Sequence, residues 1–193
     1  MKNIYGIKSK LGTLIAKSKK TLICTAERVD GEKMVYVVID GIVAVRCPLS
    51  IYRDALQLHT RTDAPEVGTE KDASGSFCEG SGLASYVDSF MDGAKKTAYD
   101  TGFTATGSDV KGTIRIFASE AGAPVLVYSM YVDAFDTSET VFSCSDSHSP
   151  VIIHLPFEID VLIMPVRVDD GRADAFIAIA DNTVQQNSGG AGR

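Results

Sequence analysis

The sequence predicts an α+β domain of antiparallel sheets with helices on one side, built as two strand-helix-strand-strand-strand halves around a helical insertion at about residues 49–112. Three observations predict it. Short runs rich in Val, Ile and Thr recur between turn-forming residues. Asp40-Gly41 separates two such runs, and this pair accepts positive φ, the mark of a tight hairpin. The order strand, helix, strand, strand, strand occurs over residues 2–47 and again over 124–168, with little identity between the copies.

Each element follows from local pattern. Residues 2–6 are expected as a short strand; Ile7, Leu11, Leu14 and Ile15 then fall at i, i+4, i+7 and i+8, one face of a helix. Strands follow at Thr21–Arg28, Lys33–Asp40 and Ile42–Cys47, closed by Pro48. Leu49–Leu58 has helical spacing through Tyr52, Ala55 and Leu56, and His59–Gly82 is polar and aperiodic, the pattern of a loop. Leu83–Tyr99 returns to helical spacing, with Lys95-Lys96 suited to a helix C-terminus. Strands Thr113–Ser119 and Pro124–Ser129, a brief helix Met130–Phe135, and strands Thr140–Cys144, Pro150–Leu155 and Ile159–Val168 complete the second half. Ala173–Ala180 alternates as a further strand. Residues 1–181 are thus expected to form a single domain, and 182–193, poor in apolar groups, a flexible tail.

Composition narrows the function classes. The chain has 193 residues, 45% hydrophobic and 23% charged, enough for a core that needs neither disulfide nor structural metal. No apolar run approaches the ~18 residues of a membrane span, and the start lacks a secretion signal, so a cytoplasmic protein with no membrane partner is expected. Four widely spaced cysteines, Cys24, Cys47, Cys78 and Cys144, fit a reducing compartment. The formal net charge of −6 disfavours indiscriminate nucleic-acid binding, yet residues 1–20 hold six lysines and no acid.

Cys144, His148 and His154, with Asp146 nearby, have suggestive metal spacing but no fourth ligand; His154 in its apolar strand reads better as a hydrogen-bonded, partly buried side chain. Ser81 and Cys78 in a glycine-rich loop, with His59 upstream, match neither a nucleophile elbow nor a phosphate loop. Asp169-Asp170 before Gly171 is turn chemistry. No catalytic residue, metal or cofactor is therefore assigned.

Specific strings carry a resemblance. Tyr131-Val132-Asp133-Ala134-Phe135, a strand, Ser149-Pro150-Val151-Ile152-Ile153, and then Leu162-Ile163-Met164-Pro165-Val166-Arg167 resemble the end of a bacterial DNA sliding clamp, the beta subunit of DNA polymerase III. In that family a Tyr-Leu-led helix precedes strands and a closing Met-Pro-x-Arg. Val37-Val38-Ile39-Asp40-Gly41 resembles the clamp's apolar hairpin, and residues 49–112 lie outside the resemblance. A bacterial clamp chain has three domains, whereas this chain supplies one at most and continues past Arg167.

The resemblance implies a non-enzymatic replication accessory, of phage, mobile-element or bacterial origin, that self-associates at double-stranded DNA. It implies phosphate contacts from Lys8, Lys10, Lys17, Lys19 and Lys20, with Lys95 and Lys96 as further candidates. An ordinary solvated helix face explains the same lysines, and Asp133 and Asp136 on the second short helix oppose a DNA-facing role there. Met164, Pro165 and Arg167 match positions that line a groove for short peptides of replication proteins; an edge strand interrupted by proline is the simpler explanation of the same residues. The alternative is a homo-oligomeric protein-interaction module with no nucleic-acid role.

Overall fold

The computed structural model describes residues 4–72, 74, 76–78, 82–94, 96–106, 112–133, 135, 140–146, 148–167 and 172–189; for Ile4, Tyr5, Ile7, Lys8, Phe77, Cys78, Ser188 and Gly189 it describes the backbone alone. The elements run α1 (Ile4–Lys17), β1 (Thr21–Glu27), β2 (Lys33–Ile39), β3 (Val43–Pro48), α2 (Leu49–Ile51), a π-helical turn (Tyr52–Leu56), α3 (Gln57–Thr60), β4 (Glu70–Asp72), β5 (Phe77–Cys78) and α4 (Leu83–Gly93). They continue with β6 (Lys96–Thr106), β7 (Thr113–Ser119), β8 (Pro124–Tyr128), α5 (Ser129–Asp133), β9 (Val141–Cys144), β10 (Val151–Leu155), β11 (Ile159–Ile163) and α6 (Ala173–Gly189). The chain is α+β, and every strand pair with a described register is antiparallel. It packs as two compact units, residues 1–91 with 154–162, and residues 92–153 with 163–193. Among the described residues no helix is long and apolar enough to cross a membrane.

The first unit has strand order β5-β4-β1-β2-β3-β11. Leu11, Leu14 and Ile15 of α1 are buried, as the helical stripe requires. Residues 4–6 belong to this helix and not to the expected strand, because Ile4 and Ile7 extend the same 3.6-residue period backwards from Leu11; Lys2 and Asn3 lie outside the described residues. At the β2–β3 turn Asp40 (φ 52°) and Gly41 (φ 69°) are both left-handed. The Asp40 carboxylate accepts the backbone N–H groups of Lys19 and Lys20, each at 2.8 Å. The polar stretch expected as a loop holds β4 and β5: Leu22 to Cys24 of β1 pair with Asp72 to Glu70. Glu, Lys and Asp have little strand preference of their own, so the open edge of β1 imposes it.

A charged cluster fastens α4 to this sheet. Arg46 of β3 donates from Nη1 to Asp88 Oδ1 at 2.8 Å, and from Nη2 and Nε to Asp160 Oδ2 at 2.8 and 3.2 Å. Tyr36 of β2 donates to Asp88 Oδ2 at 2.7 Å, and His154 Nδ1 lies 2.8 Å from Asp160 Oδ1. Burial raises the Asp160 pKa, but hydrogen bonds from His154 and Arg46 and the guanidinium charge outweigh it, so the carboxyl lies below its ordinary value. His154 is thus the partly buried, hydrogen-bonded residue that the sequence suggests.

The second unit has strand order β10-β9-β6-β7-β8. The helix expected through Tyr99 stops at Gly93, and Lys96–Thr106 is strand; its β-branched threonines favour the pleated chain, and Gly93 ends the helix. Lys96 is therefore a strand residue, and Lys95 lies outside the described residues. The β6–β7 ladder slips between Asp100↔Phe117 and Thr104↔Arg115, where Thr101 Oγ1 donates to the Ile116 carbonyl at 2.7 Å and Gly102 takes φ 72°. Arg115 of β7 pairs with Asp100 and, at 2.8 Å, with Asp133 of α5.

Residues 173–180 are helical, not the expected strand, and the helix continues to Gly189 through most of the expected tail. The alternation of Ala-Phe-Ile-Ala-Ile-Ala also places Phe176 and Ala180 at i and i+4; both are buried, with α6 lying against β6, β7 and β8. Residues 190–193, 168–171, 81 and 136 lie outside the described residues.

In chain order, one helix followed by three strands occurs three times: α1-β1-β2-β3, α4-β6-β7-β8 and α5-β9-β10-β11. The second expected half, strand-helix-strand-strand-strand, is present as β8-α5-β9-β10-β11. The stretch expected as a helical insertion supplies the helix and first strand of the middle set.

Candidate docking groove and basic surface

The segment after β11 is irregular from Met164 to Arg167, not the edge strand that the sequence allows. Pro165 has no N–H to extend a ladder, and the Val166 N–H donates to the Leu126 carbonyl at 2.7 Å, which lays the segment along β8. A cleft of about 820 Å³ opens there. Ala121, Gly122, Ala123 and Pro124 of the β7–β8 turn, Leu126, His148, Val166 and Arg167 line it, with Ala173, Phe176, Ile177 and Asp181 of α6. Gly122 (φ 81°) keeps the turn tight, and the Asp181 carboxylate rests directly on it. Arg172 lies 5.4 Å from the centre of the Phe176 ring and donates to the Thr106 carbonyl at 2.9 Å, fixing the start of α6.

Of the three residues expected in a peptide groove, Arg167 lines this cleft and is exposed; Met164 and Pro165 are half-buried and do not line it. Phe176 and Ile177 lie in the segment whose alternation predicts a strand, and Asp181 just beyond it, so the pattern does not bring them to one helix face. The i, i+4 spacing of Phe176 and Ala180 was the signal available. The cleft mixes apolar side chains with Arg167, Asp181 and His148, a composition that suits an apolar side chain accompanied by an ionic contact.

The basic candidates divide between the units. Lys10 and Lys17 are exposed on α1, and Lys19 and Lys20 are exposed on the connection to β1, beside the negative end of the helix dipole. Lys96 is exposed at the start of β6, and Lys8 lies in α1. Of the two carboxylates that weigh against DNA, Asp133 pairs with Arg115, and Asp136 lies outside the described residues.

Burial pushes the Cys144 thiol up to about 11. Asp146 is held below its ordinary value by the backbone N–H of His148 and the Ser149 hydroxyl, which it accepts as a turn residue. Among the described residues no three His, Cys, Asp or Glu side chains gather as metal ligands. His59 stacks on Gly12 of α1, and its Nε2 is buried without a hydrogen-bond partner, a packing position. Ser81 and the Cys78 side chain, its expected companions, lie outside the described residues.

No protein-family model and no curated protein matches the chain. Among solved structures it is similar to the DnaN sliding clamp (DNA polymerase III subunit beta) from Bartonella birtlesii bound to griselimycin, with 13% identity and a TM-score of 0.43 over 83% of this chain and 65% of the other. It is also similar to the DNA polymerase III subunit beta DnaN sliding clamp from Bartonella birtlesii LL-WM9, with 16% identity and a TM-score of 0.37 over 83% and 64%. The chain spans just under two thirds of the length of these clamps.

Proposed function

We propose that this chain is a clamp-like, non-enzymatic accessory of DNA replication that associates with itself and tethers partners near duplex DNA. The observation that supports it most is the helix followed by three strands, occurring three times in one chain. Lys8, Lys10, Lys17, Lys19, Lys20, Lys95 and Lys96 are the proposed phosphate contacts. The Asp40 anchor holds the backbone of Lys19 and Lys20 while their ammonium groups remain exposed, which suits contact with phosphates without base reading. The cleft at Arg167, with Met164 and Pro165 leading into it, is the proposed receptor for short peptides of replication proteins.

Salt-titrated fluorescence anisotropy with a labelled duplex tests the DNA part. Binding is expected to weaken with salt along a log–log line of slope about −0.9 per phosphate contact, and Gln at positions 17, 19 and 20 together is expected to reduce that slope by about 2–3. Absence of binding even at low salt refutes it. The net charge of −6 favours a second reading, a homo-oligomeric interaction module without DNA. Light scattering with and without duplex separates the two.

A further inference from the structure

We infer that the β10–β11 hairpin tip of one copy of this chain docks in the Arg167 cleft of another, with Phe157 as the anchor and Glu158 paired to Arg167. The inference rests on the self-association in the reading above and supplies its contact; the tip and the short peptides proposed there compete for the one cleft.

The first observation is the tip itself. Phe157 (φ 64°) and Glu158 (φ 56°) are consecutive non-glycine residues in the left-handed region. Asn and Gly relieve that conformation, and a bulky aromatic side chain suits it poorly. Phe157 nonetheless occupies it with 47% of its surface exposed, and Glu158 is exposed beside it. Strain retained together with an exposed aromatic ring is explained when that ring has a partner elsewhere.

The second observation is the cleft. Its volume of about 820 Å³ accepts a phenyl ring, and Leu126, Val166, Phe176 and Ile177 offer apolar contact. Ile177 is 45% exposed. Exposed Arg167 at the same cleft is the complement of Glu158, while Asp181 of α6, on the same lining, requires Glu158 to sit at the Arg167 end; an exposed apolar ring with an acid next to it is what the hairpin tip offers. Tip and cleft are different surfaces, so each copy offers one and receives one.

Sedimentation velocity of the full chain over a concentration series tests the contact. The wild type is expected to associate with concentration. Phe157→Gly removes the ring and suits the left-handed backbone, so association is expected to weaken at least about tenfold while the melting temperature holds or rises. Glu158→Lys and Arg167→Glu are each expected to weaken association, and an equimolar mixture of the two to restore it, since each variant's tip then meets a cleft of opposite charge on the other. Association of Phe157→Gly at wild-type strength, or a mixture no better than either component, overturns this contact and leaves self-association standing. A wild type that stays monomeric overturns both, and duplex anisotropy on the same sample then reports separately on the DNA part.

Discussion

Replacing Arg46 with Met deletes the cation that joins α4 to the first-unit sheet and leaves a side chain of similar length. Asp88 then keeps the Tyr36 hydroxyl, and Asp160 keeps His154. Removing one partner of a fully buried pair costs about 3–5 kcal/mol, and an exposed pair contributes about 0–1 kcal/mol. Side-chain exposures of 16% for Arg46, 31% for Asp88 and 17% for Asp160 place this cluster near the lower end of the buried range. The expected loss is about 3 kcal/mol at pH 7, or roughly 6–12 °C in melting temperature for a chain of this size. The sign with pH follows from Asp160. Its folded pKa lies below the ordinary value, so its contribution is present above about pH 4 and is lost as pH falls through the folded value. Without Arg46 burial is opposed less, the carboxyl takes up its proton at higher pH than in the wild type, and the deficit shrinks as pH falls towards and through the wild-type folded value, where the wild type surrenders what the variant already lacks. Urea unfolding of both proteins at pH 7, 5 and 4 measures this. A loss below about 1 kcal/mol at pH 7, or a deficit unchanged by acid, refutes the reasoning.

Two further outcomes are expected. Gly12→Ala places a Cβ inside the His59 ring and should cost about 1–2 kcal/mol in urea unfolding, whereas in a His59→Ala background it should stabilise by up to about 1 kcal/mol through helix propensity; stabilisation by the single change refutes the packing. Burial pushes the thiols of Cys24 and Cys47 up to about 12 and that of Cys144 to about 11. In a Cys78→Ser background the native protein should therefore label slowly with a thiol reagent at pH 8 and fully on unfolding; rapid native labelling refutes it.

Local signals were legible in proportion to how far tertiary contact agreed with them. The Asp40-Gly41 hairpin, the strands at Thr113–Ser119 and Pro124–Tyr128, and the buried face of Tyr52, Ala55 and Leu56 were readable because propensity, period and burial coincide there. Lys96–Thr106 was not, because Ala94, Ala98 and Tyr99 continue a plausible helical spacing past Gly93. Nor was Glu70–Asp72, whose strand state comes from its neighbour β1. Ala173–Ala180 satisfies period 2 and period 3.6 together, and only packing of Phe176 against the sheet decides between them. At the candidate site Arg167 was legible from its string, whereas the α6 wall required that decision. Phe157 was invisible, since a left-handed backbone at an aromatic residue leaves no mark in sequence.

The slip in the β6–β7 ladder has a bearing on solubility. The described register joins β6 to β9 only at Lys96 and Thr97, so a long strand rich in threonine, with Phe103 56% exposed, extends beyond that pairing. A flat strand of this kind is a template for intermolecular sheet growth. The two extra residues between Asp100 and Thr104, with Gly102 turned left-handed, kink its backbone and break the regular spacing that an incoming strand would have to match. The irregularity thus acts as a guard against fibril formation, carried within the strand it protects.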